Sequence, residues 1–274
     1  MDFSKMLKFY SWNEIPPEFL SSWVTMLIVI IIAVIIKIKL KNYDPLKKPK
    51  GFMHICEVVY EFTDKQVSSI MGNAFPNFAG YILCVGLYII IGFIVGMIGI
   101  PNVFQPGSEE FLKPLPNPFT NLAMPLSLAI ITFVLTHFTA IKYKKKFYFE
   151  RYLEPFPMFL PINLVTMWSS VLSLTLRLFG NALAGYCIIT LIYVGIGTII
   201  PGNMAGLAIV PVLAPVAHLY FDIFDGLIQL AVFTILTMIN VSNEYVSIEA
   251  YENMVNEKKE KKLKRKLKHK KIKD

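Results

Sequence analysis

The sequence predicts an all-α integral membrane protein with five membrane-crossing helices and one interfacial amphipathic helix. Hydrophobic residues make up 55% of its 274 residues, and charged residues make up only 17%. Soluble domains are about a quarter charged, so this chain has too few charges to cover a surface that faces water. Its apolar residues are also gathered into runs of the roughly 20 residues that a helix needs to cross a bilayer. The same composition excludes a disordered chain, a collagen and a disulfide-stabilised scaffold.

The membrane spans follow from the apolar runs and from the charges that end them. The first run contains no charge and ends in the basic sequence KIKLK, which is typical of a stop-transfer signal. The second lies in the uncharged stretch between Lys65 and Glu109. The last two share a stretch, 158–243, that holds only three formal charges, and PGNMAG at 201–206 separates them. We therefore predict spans at 19–36, 78–100, 121–141, 158–197 and 206–243.

The segment 51–72 fits a different kind of helix. Its apolar residues recur at helical spacing, while Glu57, Glu61, Asp64 and Lys65 lie on another side. A helix with one apolar and one charged face is typical of the membrane interface rather than of a span. We therefore predict an interfacial amphipathic helix here, within a single membrane domain that covers residues 1–256.

The net charge of +8 comes from the C-terminal tail. Residues 257–274 contain eleven Lys or Arg and three Asp or Glu, which leaves 1–256 neutral. Such a basic run is usually a solvated cytoplasmic extension that touches anionic lipid headgroups. No aromatic interleaving or nucleic-acid-binding fold accompanies it, so we expect no nucleic-acid partner. The loops 37–50 and 142–151 are also rich in Lys and Arg, which places the N-terminus outside the cell and the C-terminus in the cytoplasm.

No cofactor or metal site is evident in the sequence. Cys56, Cys84 and Cys187 are dispersed and form neither a metal-binding spacing nor a disulfide set. His218 and Asp222 stand four residues apart, but no third ligand converges on them. No Walker-type phosphate loop, nucleophile–base pair or metal triad is present. We therefore expect no bound cofactor and no catalysis by this chain alone.

The last two spans contain charged residues, although a charge near the bilayer centre costs at least about 2.5–3.5 kcal/mol and marks a functional site by default. The fourth span has polar residues spaced by three, four and four: Ser170, Ser173, Arg177 and Asn181. The fifth span has polar residues spaced by four, three and four: His218, Asp222, Asp225 and Gln229. Each set forms one stripe along a helix. We expect the two stripes to face each other or a wet cavity.

Two interpretations of these stripes differ in function. A buried pair between Arg177 and an aspartate could fix helix packing alone. An ion pathway is favoured, because one arginine is accompanied by two aspartates, a histidine, a glutamine and an asparagine, which is more than a structural pair needs. Such a pathway could belong to one subunit of a larger machine or, alternatively, to a self-contained ion-coupled transporter or channel.

The segment LSLTLRLFGNALAG at 172–185 resembles the signature of subunit a of F-type ATP synthases. Gln229, within DGLIQLAVFTILTMINVS, resembles the glutamine of that family's last helix, and PNPFTNLAMPLSLAI resembles its middle span. The resemblance covers residues 114–250. It implies that the last two helices are long and tilted, and that they form a hairpin curved around a rotating ring of c subunits.

The resemblance also implies a role in proton translocation and a set of partners. Arg177 would face the essential carboxylate of the ring and would separate two aqueous half-channels. Gln229 would lie near it on the facing helix, and Asn181 would line the polar path one turn along. Implied partners are the c-subunit ring, the b-type peripheral-stalk subunits, the rest of the ATP synthase complex and membrane lipid. The implied location is the bacterial cell membrane.

The outer half-channel departs from the family pattern in this sequence. Tyr186 stands where many members have Glu or His, and Asp222 stands where members have His or an acidic residue. We therefore expect proton relay through Asp222, with His218 and Tyr186 as hydrogen-bonding helpers. Asp225 is an additional carboxylate whose role is open.

The inner half-channel departs further, because two titratable positions of the family are lost. Asn121 replaces an aspartate in the middle span, and Asn163 replaces a glutamate fourteen residues before the arginine. Water, the stripe serines Ser170 and Ser173, or the loop carboxylates remain as candidates for the inner path. Those carboxylates are Glu150 and Glu154.

Overall fold

The computed structural model describes residues 15–41, 51–102, 113–145, 147–148, 158, 160–199, 212–247, 249–256 and 258–260. These residues contain no β-strand, and five of their helices are long and apolar enough to cross a membrane. The predicted all-α membrane fold with five such helices is therefore confirmed. The long helices are α1 (Pro17–Lys41), α3 (Phe78–Ile98), α4 (Ala123–Lys144), α5 (Leu160–Ile199) and α6 (Val212–Ser242), and α2 (Phe52–Met71) lies between the first two.

Helix α1 extends further than the apolar run that predicted it. It continues to Lys41, through the KIKLK sequence that follows the predicted span 19–36. Long lysine side chains can lie along apolar surface while their ammonium groups reach water, so the helix need not end where the apolar run does. Helix α4 begins at Ala123 rather than at the predicted 121, because the Asn121 side chain accepts a hydrogen bond from the Ala123 N–H at 3.0 Å.

Several predictions concern residues outside the described part of the chain. The predicted break at 201–206 lies there, since α5 ends at Ile199 and α6 begins at Val212. The loop carboxylates Glu150 and Glu154 also lie outside it. Of the basic tail 257–274, only residues 258–260 are described.

Helix α2 is amphipathic, as its sequence predicts. Val67 and Met71 are buried and pack with residues of α3 and α6, whereas most of the other side is exposed. On the exposed side, Lys65 Nζ lies 2.8 Å from Glu61 Oε1. The hydrogen bond and the charge of Lys65 lower the pKa of the Glu61 carboxyl group. Its position at the membrane interface stays a prediction.

The hydrophobic core is built by α3, α4, α5 and α6. Its central side chains are Ile89 and Phe93 of α3, Ala129 of α4, Leu178 of α5 and Phe233 of α6. Each of these is no more than 3% exposed. Because one face of α5 and one face of α6 are buried in this core, the rotation of both helices is fixed. That rotation determines where their charged residues lie.

Glycines permit the closest approaches between these elements. A Cβ atom at Gly96 of α3 would lie 2.8 Å from Asn117 Cα, and one at Gly226 of α6 would lie 3.0 Å from Phe93 Cγ. Between the last two helices, a Cβ atom at Gly185 would lie 3.1 Å from Phe221 Cβ. Side chains larger than hydrogen would separate these helices. A small residue at Gly185 therefore allows α5 and α6 to approach closely.

The start of α3, the end of α4 and the end of α6 lie together at one end of the helix bundle. Phe75, Tyr143 and Tyr245 form a cluster there, with ring centroids 4.8 to 6.2 Å apart. Beside it, Lys144 Nζ lies 2.7 Å from Glu244 Oε2, and both side chains are largely buried. These contacts show that the end of α4 and the end of α6 lie at the same end of the molecule.

Candidate functional site

Arg177 lies on an exposed face of α5. Its guanidinium Nη2 donates a hydrogen bond to Ser173 Oγ at 3.4 Å, one turn earlier on the same helix. Within the described residues, no carboxylate forms an ion pair with it, and Asp222, Asp225 and Gln229 lie beyond hydrogen-bond distance. The Arg–Asp packing pair that the sequence left open is therefore not formed. An arginine exposed in a membrane helix is costly unless it meets a charge or water outside the chain.

The surface around Arg177 is open on the C-terminal side of α5. A Cβ atom added at Gly180 would meet nothing within 4 Å, so this glycine does not pack against another helix within the described residues. Asn181 is half-buried and Ala184 is exposed. Tyr186 is 48% exposed. This face of α5 therefore has room for a neighbouring molecule.

A π-helical segment, Leu219–Phe224, interrupts α6 and contains Asp222. At its end the Asp225 N–H donates to the Tyr220 carbonyl, five residues back, instead of four as in an α-helix. The segment rotates the residues before it relative to those after it, so the predicted stripe from His218 to Gln229 is not a continuous α-helical face. Insertions of this kind occur frequently at functional sites.

His218 connects the two long helices through hydrogen bonds. Its Nδ1 lies 2.6 Å from Asp222 Oδ2, and its Nε2 lies 3.4 Å from the hydroxyl of Tyr193 on α5. A neutral imidazole that donates from Nδ1 to the carboxylate would accept from Tyr193 at Nε2. The Asp222 side chain is 13% exposed. The structure therefore brings together His218 and Asp222, as the sequence predicts, and adds Tyr193.

The sequence pointed to Tyr186, together with His218, as a hydrogen-bonding helper of Asp222, and it did not point to Tyr193. The two tyrosines are seven residues apart and so lie on the same face of α5. That spacing was the available signal, but it could not decide which of the two meets the histidine. Tyr186 forms no side-chain hydrogen bond within the described residues.

Asp225 and Gln229 form a second pair on α6. Gln229 Nε2 donates to Asp225 Oδ1 at 3.5 Å, and Gln229 is only 4% exposed. The pair follows the π segment, whereas His218 precedes it and Asp222 lies within it. The four predicted residues of α6 therefore form two hydrogen-bonded pairs rather than one chain of contacts.

A cavity of about 340 Å³ separates α4, α5 and α6 near the end of the bundle where α4 and α6 terminate. Asn163 and Ser170 of α5 line it, together with Asn240 of α6. Asn240 Nδ2 donates to Ser170 Oγ at 3.1 Å across its wall. The cavity also contains His137 of α4, which sequence analysis did not select because a lone histidine in an apolar span carries no spacing signal.

The remaining predicted residue, Asn121, serves a local structural purpose. Its side-chain carbonyl binds the N–H of Ala123 and so caps the start of α4. Asparagine is among the preferred residues for such caps. In the described chain, no three His, Cys, Asp or Glu residues lie close enough to hold a metal ion.

Comparison with known proteins decides the family. A family model described as ATP synthase A chain matches residues 19–242. The chain belongs to the ATP synthase A chain family. The resemblance identified at LSLTLRLFGNALAG is therefore confirmed, and all eleven predicted site residues lie within the matched region.

Individual relatives of the chain agree with the family match. It is 34% identical to ATP synthase subunit a of Oceanobacillus iheyensis over 203 residues, which cover 73% of this chain and 80% of the relative. It is 30% identical to ATP synthase subunit a of Bacillus subtilis over 72% of this chain and 80% of the relative. It is also 29% identical to a sodium-ion-specific ATP synthase subunit a of Propionigenium modestum, over 85% and 75% of the two chains.

The residues of this site allow acid–base chemistry in helices that also contain a fixed cation. Arg177 supplies a permanent positive charge on an exposed face. Asp222 with His218, and Asp225, can each exchange a proton with water or with a neighbouring group. The cavity between α4, α5 and α6 contains polar side chains, so water can also enter between these helices.

Proposed function

We propose that this chain is the proton-translocating stator subunit of a rotary F-type ATP synthase. It provides two aqueous half-channels to the carboxylates of a c-subunit ring, and Arg177 separates the two. ATP chemistry takes place in other subunits of the complex, so this chain is not itself catalytic. The observation that carries the proposal is an arginine on an exposed face of a membrane helix with no acidic partner among the described residues.

The chemistry of arginine suits this role. A ring carboxylate that arrives opposite Arg177 loses its proton more readily, because the cation stabilises the carboxylate. Guanidinium keeps its charge at any cellular pH, whereas a buried lysine could become neutral. A permanent cation also repels a proton that would otherwise pass directly from one half-channel to the other.

The open face of α5 supports a ring partner at this place. Gly180 and Ala184 lie one to two turns after Arg177 and present little side-chain bulk, and no described part of the chain covers Gly180. Small residues allow helices to approach closely in a membrane. We propose that the c ring turns past this face, with α5 and α6 tilted along it. The b-type peripheral-stalk subunits and membrane lipid would cover other exposed apolar surfaces.

The outer half-channel is proposed to pass His218 and Asp222. Their 2.6 Å contact and the reach of Tyr193 to His218 give a connected set of groups that can hand on a proton. Asn181, Asp225 and Gln229 would continue the polar surface toward Arg177. The relatives are bacterial, so we place the chain in a bacterial cell membrane.

The experiment that tests the proposal compares Arg177→Ala with the unchanged complex in inverted membrane vesicles. ATP-driven acidification is followed with a fluorescent pH probe, and passive proton leak is recorded after a pH gradient is imposed. We expect pumping to be lost while ATP hydrolysis by the peripheral sector persists, and we expect leak to rise. Lys142→Ala is the matched control, because it removes an exposed cation at the end of α4, away from the site.

Three results would contradict parts of the proposal. Pumping that survives Arg177→Ala would overturn the role of the arginine. Transport by the chain reconstituted alone would indicate a self-contained transporter. The Propionigenium modestum relative is named as sodium-ion specific. Pumping that requires added sodium would therefore overturn the proposal that the transported ion is the proton, and would leave the rest of the proposal unchanged.

A further inference from the structure

We propose that the cavity between α4, α5 and α6 is the water-filled inner path to the cytoplasm, and that His137 carries the proton within it. The proposal rests on the proposed function, since it assigns the inner half-channel of the same subunit. Neither His137 nor the cavity is marked by any motif in the sequence. Both become visible only when the three helices are packed together.

The size and lining of the cavity suit water. Its volume of about 340 Å³ is many times that of one water molecule. Polar atoms come from all three helices, including Thr136 of α4, Asn163 of α5 and Asn240 of α6. Water in the cavity can hydrogen-bond to these polar side chains, whereas dry cavities are lined by apolar groups alone.

His137 is set up to accept a proton in this cavity. Its Nδ1 lies 2.8 Å from the Phe133 carbonyl, and a carbonyl can only accept, so the hydrogen sits on Nδ1. In the neutral ring, Nε2 then has a free lone pair. Nε2 is buried and has no hydrogen-bond partner among the described residues. A buried nitrogen without a partner is unfavourable unless water or a proton binds it.

The other titratable groups near His137 are less suited to carry a proton through the cavity. Glu244 lines the cavity but is held by Lys144 at 2.7 Å, at the end of the bundle. The Tyr148 ring lies 5.9 Å from the imidazole, edge to face. Asn163, where the resemblance implies a glutamate, lines the cavity, whereas Asn121 lies before the start of α4, at the opposite end of that helix from the cavity. Of the two titratable side chains in the described cavity wall, His137 and Glu244, His137 is therefore the one that no ion pair engages.

The cavity reaches toward Arg177. Ser170 and Leu174 line it, and Leu174 lies three residues before Arg177, which is about 4.5 Å along the helix axis. A proton released near Arg177 would move along cavity water until an N–H bond forms at His137 Nε2 and the O–H bond of a hydronium ion breaks. The reverse step returns the proton to water at the cytoplasmic mouth beside Lys144 and Glu244.

The first test measures whether water reaches the cavity. Cys56, Cys84 and Cys187 are replaced by serine, and Thr136→Cys or Val134→Cys is added in the full complex. Thr136 lines the cavity, whereas Val134 is 58% exposed on another side of the same helix and at similar depth. A charged, water-soluble thiol reagent is applied to the cytoplasmic face of inverted vesicles, and modification is measured by mass. We expect Thr136→Cys to react at least about tenfold faster, because the reagent attacks a thiolate, which forms in water and not in lipid. Equal rates would overturn the hydrated cavity.

The second test asks whether His137 must be titratable. We expect His137→Gln to lower ATP-driven pumping by about tenfold or more, which is within the usual contribution of a proton-transfer group. His137→Glu should restore much of the pumping. A purely structural histidine predicts the opposite order, because glutamine can still donate to the Phe133 carbonyl and ionised glutamate cannot.

The outcomes separate this proposal from the proposed function. If Arg177→Ala abolishes pumping while His137→Gln pumps normally, the inner-path assignment fails and the proposed function stands. If pumping survives Arg177→Ala, the proposed function is contradicted, whatever the His137 variants show. If the His137 variants do not assemble, the reaction of Thr136→Cys still decides whether the cavity is open to cytoplasmic water.

Discussion

At the scale of single residues, His218 is the group on which the site between the two long helices depends. Its Nδ1 lies 2.6 Å from Oδ2 of Asp222, which belongs to the π-helical segment of α6. Its Nε2 lies 3.4 Å from the hydroxyl of Tyr193 on α5. The first bond is short, whereas the second is long for a hydrogen bond and is therefore weak. Asp222 and His218 should consequently matter more for proton relay than the tyrosine that orients them.

The contributions of Tyr193 and Tyr186 of α5 to pumping can be compared by substituting each with phenylalanine. We expect Tyr193→Phe to lower ATP-driven pumping by about two- to fivefold, because losing a hydrogen bond of about 1 kcal/mol changes a rate by that amount. Tyr186→Phe should change it less, since the Tyr186 hydroxyl has no described partner. Both are measured in inverted vesicles against ATP hydrolysis. A larger effect at Tyr186 would show that the relay follows the sequence-based assignment instead.

At the scale of helices, glycine spacing sets how closely α3 packs against the segment before α4. Gly96 faces the backbone of Asn117, which cannot move as freely as a side chain, and Gly92 faces Phe119 and Pro118. Gly80 is on the same helix but has nothing within 4 Å. One helix therefore contains glycines that packing requires and a glycine that packing does not require.

Alanine substitution should distinguish these glycines. Gly96→Ala places a Cβ atom 2.8 Å from Asn117 Cα, and overpacking of this kind costs about 1–3 kcal/mol of stability. Gly80→Ala should be neutral or should stabilise by up to about 1 kcal/mol through helix propensity. The check is the midpoint of thermal denaturation of the subunit in the purified complex. Equal midpoints for the two variants would contradict the close approach at Gly96.

Helix formation could be predicted from the sequence, but contacts between helices could not. The spans follow from hydropathy because the bilayer fixes their length, and α3 starts at the predicted Phe78. The partner of His218 depends on helix rotation and on the π segment, which shifts the register by one residue. His137 depends on three helices meeting around one cavity. The charges of α5 and α6 were found because unpaired charges are rare in apolar spans.

At the scale of the whole molecule, the basic residues and the helix packing together predict which end of the bundle faces the cytoplasm. The Lys144–Glu244 pair and the Phe75, Tyr143 and Tyr245 cluster place the end of α4, the end of α6 and the start of α3 together. The loop 142–151 carries five Lys or Arg and begins at this end. Basic loops stay in the cytoplasm, so the same end should also hold the mouth of the proposed inner path.

The orientation can be tested with two cysteine variants in the background that lacks Cys56, Cys84 and Cys187. Asn253→Cys follows α6, and Lys113→Cys precedes α4; both positions are exposed. Because basic loops are retained inside, an impermeant maleimide should label Asn253→Cys in inverted vesicles and Lys113→Cys in right-side-out vesicles. Reagent applied after membrane solubilisation should label both, which controls for intrinsic reactivity. The reverse labelling pattern would show that the chain has the opposite orientation in the membrane. It would then place the cavity on the outer side and exchange the proposed half-channels, while leaving the position of Arg177 between them unchanged.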